Sequence, residues 1–206
     1  MEKSDKSPVT VADYGSQAII CQALAAAFPN DPVVGEEDAT DLKQPEMGDR
    51  LQQITGFVQP HVPAATPDLI TQWIDHGNGS VGRRFWTLDP IDGTKGFLRG
   101  DQYAIALALI EDGDLKVGVL GCPALAFGAG QPGLLFTAVR GEGTTMQALS
   151  GGDATAVKVV QPGDGDRLRF VESVEASHGN QAQQEAVAKA AGITQASVRM
   201  DSQAKY

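Results

Sequence analysis

Two carboxylates and a hydroxyl fall within six residues in the run Asp89-Pro90-Ile91-Asp92-Gly93-Thr94, directly after the apolar stretch Phe85-Trp86-Thr87-Leu88. Pro90 has no backbone N–H to donate to a sheet ladder, so a strand over Phe85–Leu88 is predicted to stop where the carboxylates begin. Gly93 has no Cβ to hinder a tight turn, which lets Asp89, Asp92 and the Ile91 carbonyl approach one point. Oxygen donors gathered at a turn suit a hard cation such as Mg²⁺, which takes one or two carboxylates and fills its shell with water and substrate phosphate. An aspartate-rich turn at a strand end has the same local appearance without any cation.

Two further acidic positions bear on that choice. Gly35-Glu36-Glu37-Asp38 follows the short apolar pair Val33-Val34. Three successive acids repel one another unless water or a cation screens them, and a site holding two divalent ions needs more charge than Asp89 and Asp92 provide. Glu36 is the strand-end candidate for that extra ligand. Asp13, after Pro8-Val9-Thr10-Val11-Ala12, is the third acidic position, and an N-cap aspartate would explain it without chemistry.

The bulk composition narrows the partners. With 26 acidic and 16 basic residues the net charge is −10, the opposite of a nucleic-acid-binding surface. An anionic substrate therefore requires bound metal or a local group of Lys and Arg. The two cysteines, Cys21 and Cys122, form neither a disulfide framework nor a zinc spacing, and buried free thiols in a reducing, cytoplasmic setting are expected. The start Met-Glu-Lys-Ser-Asp-Lys-Ser-Pro lacks the apolar core of a secretory signal. Ala104–Ile110, the longest clean apolar run, is far too short to span a bilayer. No membrane or nucleic-acid partner is expected, and the chain is read as a monomer.

These residues must be positioned by neighbouring elements. Ile19, Ile20, Leu24 and Phe28 recur at helical spacing, so Tyr14–Phe28 is predicted to be a helix that Pro29 ends. Met47–Val58 and Pro67–Ile74 read as two more helices around a Pro-rich connection. From Phe85 onward the pattern is β: Phe85–Leu88, Tyr103–Glu111, a turn at Asp112-Gly113-Asp114, then Leu115–Leu120, Gly133–Val139 and Gly143–Leu149. Leu168–Glu172 reads as a strand, Asn180–Ala191 as a helix and Ser197–Met200 as a short strand. Helices followed by a run of strands and then alternation define an α+β layered class. Residues 1–150 form the expected metal-site domain, 151–166 a Gly- and Asp-rich linker and 167–206 the start of a second α/β unit. Asp164-Gly165-Asp166 in that linker lacks the rest of a calcium loop and reads as a solvated turn.

Taken together, Asp13 after a Val-Thr pair, Gly-Glu-Glu at 35–37 and the hexapeptide Asp89–Thr94 resemble the metal-dependent, lithium-sensitive phosphatase superfamily of inositol monophosphatase and fructose-1,6-bisphosphatase. Within it, Asp92-Gly-Thr-Lys-Gly-Phe-Leu-Arg-Gly100, Lys6-Ser-Pro-Val-Thr10 and Met200-Asp-Ser-Gln-Ala-Lys-Tyr206 are similar to the 3′(2′),5′-bisphosphate nucleotidases. The resemblance implies that family's layered α/β sandwich and that Glu36, Asp89, the Ile91 carbonyl and Asp92 bind two or more Mg²⁺ ions. It implies that Asp13 and Thr94 orient and activate the attacking water, and that Thr94, His178, Ser202 and Lys205 contact the substrate. The chemistry is coherent: a divalent ion lowers the pKa of water it binds, and paired cations neutralise charge during in-line displacement. The implied reaction is hydrolysis of the 3′-phosphate of adenosine 3′,5′-bisphosphate, a small phosphorylated nucleotide, beside sulfate assimilation. Action on 3′-phosphoadenylyl sulfate and inositol 1,4-bisphosphate is implied as well. Arg99 is open to two readings, a phosphate neighbour or a structural ion pair.

Compared with that family, a helix before Lys3 and a downstream Trp-Asp-His-type segment with another metal aspartate are missing from the chain as given. The expectation is a fragment of a longer enzyme, or a truncated product with an incomplete second metal site and C-terminal half. Three rivals follow: an inositol monophosphatase-like phosphatase, an impaired nucleotide- or metal-binding remnant, and a haloacid-dehalogenase type of phosphatase. The last pairs aspartates two apart, whereas Asp89 and Asp92 are three apart with Pro90 between them.

Overall fold

The computed structural model describes residues 9–128, 130–159, 168–174 and 181–205. Helix α1 spans Val11–Ala27, α2 Gly48–Val58, α3 Pro67–Asp75, α4 Thr94–Arg99 and α5 Gln181–Ala190. The first starts earlier than its apolar spacing predicts. Thr10 is its N-cap, accepting from Ala12 N and Asp13 N, while Asp13 Oδ2 accepts from the Thr10 backbone at 2.8 Å. Asp13 is thus the N3 partner of a capping box, not the residue before the helix. At the other end Phe28 is the C-cap, and Pro29 follows, as the sequence requires.

Strands β1 (Val33–Gly35), β2 (Arg84–Asp92), β3 (Ala104–Glu111), β4 (Asp114–Cys122), β5 (Leu134–Val139), β6 (Gly143–Ala148) and β7 (Thr155–Val157) form one sheet in sequence order. β1 runs parallel to β2, and every later neighbour pair is antiparallel. The β3–β4 turn has Asp112 at φ 54° and Gly113 at φ 79°, with Glu111 opposite Asp114. Two left-handed central residues give the hairpin twist that Asp-Gly favours. β7 lies inside the 151–166 stretch and pairs with β6, so the sheet continues to Val157.

Two buried clusters tie the layers together. Tyr14, Ala18, Ile54, Val58, Ile70 and Ile74 join α1, α2 and α3, and Cys21, Leu24, Val33, Trp86, Leu88 and Leu109 seat α1 on the sheet. Both cysteines are buried free thiols, and burial pushes Cys21 up to about 12. A second, two-stranded parallel sheet pairs β8 (Val171–Glu172) with β9 (Val198–Arg199), with α5 between them in sequence. This is the expected α+β layered architecture. Among the described residues no helix is long and apolar enough to cross a membrane.

Candidate active site

β2 does not end at Leu88. It continues to Asp92, but its register with β3 breaks: Asp89 faces Ala106 and Asp92 faces Ala104. Four residues of β2 therefore oppose three of β3 around Pro90, which could not have donated to the ladder. The irregularity swings the strand end outward while keeping it attached to the sheet. Gly93 at φ 85° then turns the chain into α4, whose first residue is Thr94. α4 is only six residues long and is bounded by left-handed Gly93 and Gly100.

This turn forms one wall of a cleft of about 320 Å³. Glu36, Asp89, Ile91, Asp92, Thr94 and Lys95, at the ends of β1 and β2 and the start of α4, make one part of its lining. Ser173, Asp201, Ser202, Gln203 and Lys205, which follow β8 and β9, make the other. Of the residues singled out in the sequence, Glu36, Asp89, Ile91, Asp92, Thr94, Ser202 and Lys205 are brought together here. Asp13 is fully buried in the first turn of α1, outside the cleft lining, where its carboxylate also accepts from the Thr10 hydroxyl at 2.5 Å. His178 lies outside the described residues.

The donors around the turn hold one another in place. Asp89 Oδ1 accepts from Ile91 N at 3.2 Å, and the Thr94 hydroxyl donates to the Ile91 carbonyl at 3.1 Å. Gln203 N donates across the cleft to Asp92 Oδ2. Burial holds the Asp92 carboxyl above its ordinary range, with Glu36 and Asp201 adding to the effect while the Gln203 N–H and Lys205 oppose it. Cys122 stands behind this wall, its thiol pushed up to about 11 by burial and then by the Asp92 charge.

The opposite wall is fitted to the turn at backbone range. A Cβ on Gly93 would lie 2.9 Å from Ser202 Cβ, and one on Gly96 would lie 2.3 Å from the Gln102 carbonyl and 3.0 Å from Asp201. Only hydrogen fits at either position, since real Cβ atoms do not come so close. Ser202 itself has φ 65°, a conformation rare for a residue with a side chain, and its hydroxyl accepts from Ala204 N at 3.1 Å. Lys205 Nζ donates to Ser173 Oγ at 3.2 Å. Arg99 pairs with Asp201 and, at 3.1 Å, with Asp101, so the ion pair of its two readings is present.

Ser173, Asp201 and Gln203 were not reached from sequence. Their signal is long-range: Gln203 meets a carboxylate 111 positions away, and Arg99 meets Asp201 across 102. The one local hint was the tail Met200–Tyr206 taken as a unit.

Does this donor set fit a divalent cation? Among the described residues no three carboxylate, imidazole or thiol groups already converge closely enough to share one ion. Mg²⁺ asks for less, one or two carboxylates with water completing the shell. Glu36, Asp89 and Asp92 are hard oxygen donors that line one cleft, and a cation bound there would offset the burial, and to a lesser degree the Glu36 and Asp201 charges, that raise the Asp92 carboxyl. The residues present fit.

The whole chain, residues 1–206, matches the inositol monophosphatase family, and the protein belongs to that family. Two curated relatives are similar over essentially its full length. The 3′(2′),5′-bisphosphate nucleotidase of Schizosaccharomyces pombe is 44% identical over 225 residues, covering 100% of this chain and 63% of the relative. The 3′(2′),5′-bisphosphate nucleotidase 1 of Arabidopsis thaliana is 41% identical over 229 residues, covering 99% of this chain and 65% of the relative. The chain thus spans somewhat less than two thirds of their length. Among solved structures, an IMPase/NADP phosphatase complexed with Mg²⁺ and phosphate shares the fold with a TM-score of 0.51 at 18% identity, over 94% of this chain and 54% of that one.

Proposed function

We propose that this chain carries the cleft of a magnesium-dependent phosphatase that hydrolyses the 3′-phosphate of adenosine 3′,5′-bisphosphate, giving AMP and phosphate. The observation that carries the proposal is that two distant parts of the chain line one cleft: carboxylates Glu36, Asp89 and Asp92 from one, Ser202 and Lys205 from the other. The names of the full-length relatives and the Mg²⁺ and phosphate in the family structure support the same reading.

In this proposal Glu36, Asp89, the Ile91 carbonyl and Asp92 hold two or more Mg²⁺ ions. Bound there, the metal would neutralise charge on the transferred phosphoryl group and make water a better nucleophile. Thr94, whose hydroxyl donates to the Ile91 carbonyl at the start of α4, orients the attacking water in this reading. Asp13, buried in the first turn of α1 and bonded to Thr10, is given a share in that task by the family resemblance alone. Lys205 and Lys95 both line the opening, and a substrate with two phosphates needs more positive charge than one metal site gives. Ser202 offers a hydroxyl to the nucleotide. The two buried thiols support a reducing, cytoplasmic setting.

Phosphate release from adenosine 3′,5′-bisphosphate, with and without Mg²⁺, tests the assignment. The expected result is Mg²⁺-dependent turnover that exceeds turnover of inositol monophosphate. Release from inositol monophosphate alone would move the protein to the other branch of its family, and Mg²⁺-independent release would remove the metal from the reading.

A further inference from the structure

A fully buried side-chain amide sits one residue away from the exposed acid Glu36. Gln17, on the inner face of α1, has no exposed surface, yet its side-chain amide makes three hydrogen bonds. Its Oε1 accepts from Glu37 N at 3.0 Å, and its Nε2 donates to the Glu37 carbonyl at 2.5 Å and to the Ile74 carbonyl at 3.0 Å. The pattern fixes the amide's orientation, because a flipped amide would set N–H against N–H and oxygen against two carbonyls. Gln17 thereby reads both backbone groups of Glu37, as a neighbouring strand would.

The space around that amide is cut to fit. A Cβ on Gly35 would fall 2.6 Å from Gln17 Oε1, and one on Gly77 would fall 2.6 Å from Nε2. Gly35 N also donates to the Gly77 carbonyl at 2.7 Å. On the upstream side of Glu36, Gly35 is held in register with Leu88 of β2, the residue before Asp89. On the downstream side Asp75 Oδ1 accepts from Ala39 N at 3.0 Å. Glu36 is therefore a one-residue bridge between a backbone fixed by the sheet and a backbone fixed by Gln17.

We infer that Gln17 is a positioning residue for the cation site, acting through the Glu37 peptide to hold Glu36 at the cleft. It takes this role provided that Glu36 is a cation ligand, as proposed above. Outer groups that orient ligands influence metal affinity although they never touch the ion. A helix-borne amide on the backbone beside a ligand is a case of such support.

The test uses Mn²⁺ as a paramagnetic probe, with its binding to the full chain measured by electron paramagnetic resonance. Gln17→Met keeps the shape and removes the hydrogen bonds. It is expected to weaken Mn²⁺ binding by roughly 10-fold or more, within the range that outer-shell changes produce. The Mg²⁺ concentration for half-maximal turnover should rise equally, while turnover at saturating Mg²⁺ and KM for the nucleotide change little. Gly35→Ala is the second variant. It displaces the amide through the flexible end of one side chain and should weaken Mn²⁺ binding in the same direction even where Gln17→Met does not fold. Phe136→Leu in β5, separated from β1 by β2, β3 and β4, is the control for a general stability loss and should leave Mn²⁺ affinity unchanged. Unaltered Mn²⁺ affinity in both Gln17→Met and Gly35→Ala, with Glu36→Gln binding weakly, would overturn the positioning role and leave Glu36 a ligand. Unaltered affinity in Glu36→Gln would instead overturn the ligand reading, and the role of Gln17 with it.

Discussion

The carboxylate wall of the cleft hangs from the long strand β2, which is hydrogen-bonded to β1 and β3 and covered by α1, whereas the Ser202–Lys205 wall follows the two-residue strand β9. One wall is fixed by a sheet ladder and by a buried amide. The other is fixed largely by reaching across to the first: Gln203 N to Asp92, Asp201 to Arg99, and Ser202 against Gly93. The dependence runs one way. Changes at those residues of the β2 turn that touch the far wall should disturb both metal and substrate, while changes in the far wall should raise KM and leave metal affinity alone.

The largest effect should come from the turn itself. Asp92→Asn removes a proposed ligand and weakens the acceptor for Gln203 N, so both walls lose a fixed point. Phosphate turnover at fixed Mg²⁺ should fall by more than the roughly 10–100-fold typical of outer-shell changes. Mn²⁺ binding should fall with it. Asp89→Asn should match the metal loss but spare nucleotide affinity, because Asp89 bonds within its own wall at Ile91 N. Equal substrate effects in the two variants would break the comparison.

Next in size is the contact between the walls. Gly96→Ala places a methyl 3.0 Å from Asp201 in the far wall and 2.3 Å from the Gln102 carbonyl just after α4, and that backbone oxygen cannot swing aside like a side-chain tip. Overpacking of this kind costs about 1–3 kcal/mol. A lowered urea midpoint and a raised KM with unchanged Mn²⁺ affinity are expected. Unchanged KM would show that the far wall does not rest on α4.

Much of the first wall was legible in the sequence because its elements are local. The apolar spacing of Ile20 and Leu24, the Asp112-Gly113 turn and the Asp89–Thr94 run each carry their signal within a few residues. The missed parts have physical reasons. β1 is three residues long, too short for any periodicity, so the pair Val33-Val34 marked a strand end before Glu36 without giving its partner, which is β2. α4 is barely more than one turn, so its apolar positions cannot repeat. β2 runs through Pro90 because the ladder skips that residue, where Pro90 was expected to end the strand. The far wall is made by partners more than a hundred positions apart, and neither Asp201 nor Gln203 has a local feature that marks it.

Arg99 tests the far wall more gently. Its guanidinium is about one third exposed (36%), whereas the Asp201 side chain it serves is 7% exposed. Arg99→Met leaves that carboxylate without its close cation. A buried pair broken on one side costs several kcal/mol, but solvent reaching Arg99 lowers this to about 1–2 kcal/mol. KM should rise roughly 10-fold, the equivalent of about 1.4 kcal/mol, with Mn²⁺ affinity unchanged. Reduced Mn²⁺ affinity would mean that the far wall also supports the ligands.

The smallest effect should appear where the far wall joins its own sheet. Glu172 of β8 accepts from the Ser197 hydroxyl at 2.8 Å and from Arg199 of β9 at 3.1 Å, and these bonds hold its carboxyl below the ordinary glutamate range. A depressed folded-state pKa adds stability above the unfolded pKa, and that stability is lost as pH falls through the folded value. The far wall should therefore loosen on acidification below the ordinary glutamate range. Amide hydrogen exchange at β8 and β9 should accelerate relative to β2 after correction for the intrinsic pH dependence of exchange. Glu172→Gln should flatten that relative change while leaving β2 exchange as it was. Arg199 is about half exposed (53%), which makes this the weakest of the four effects. Equal acceleration in β2 would show that the two walls loosen together, and the one-way dependence of the far wall on the near one would fail.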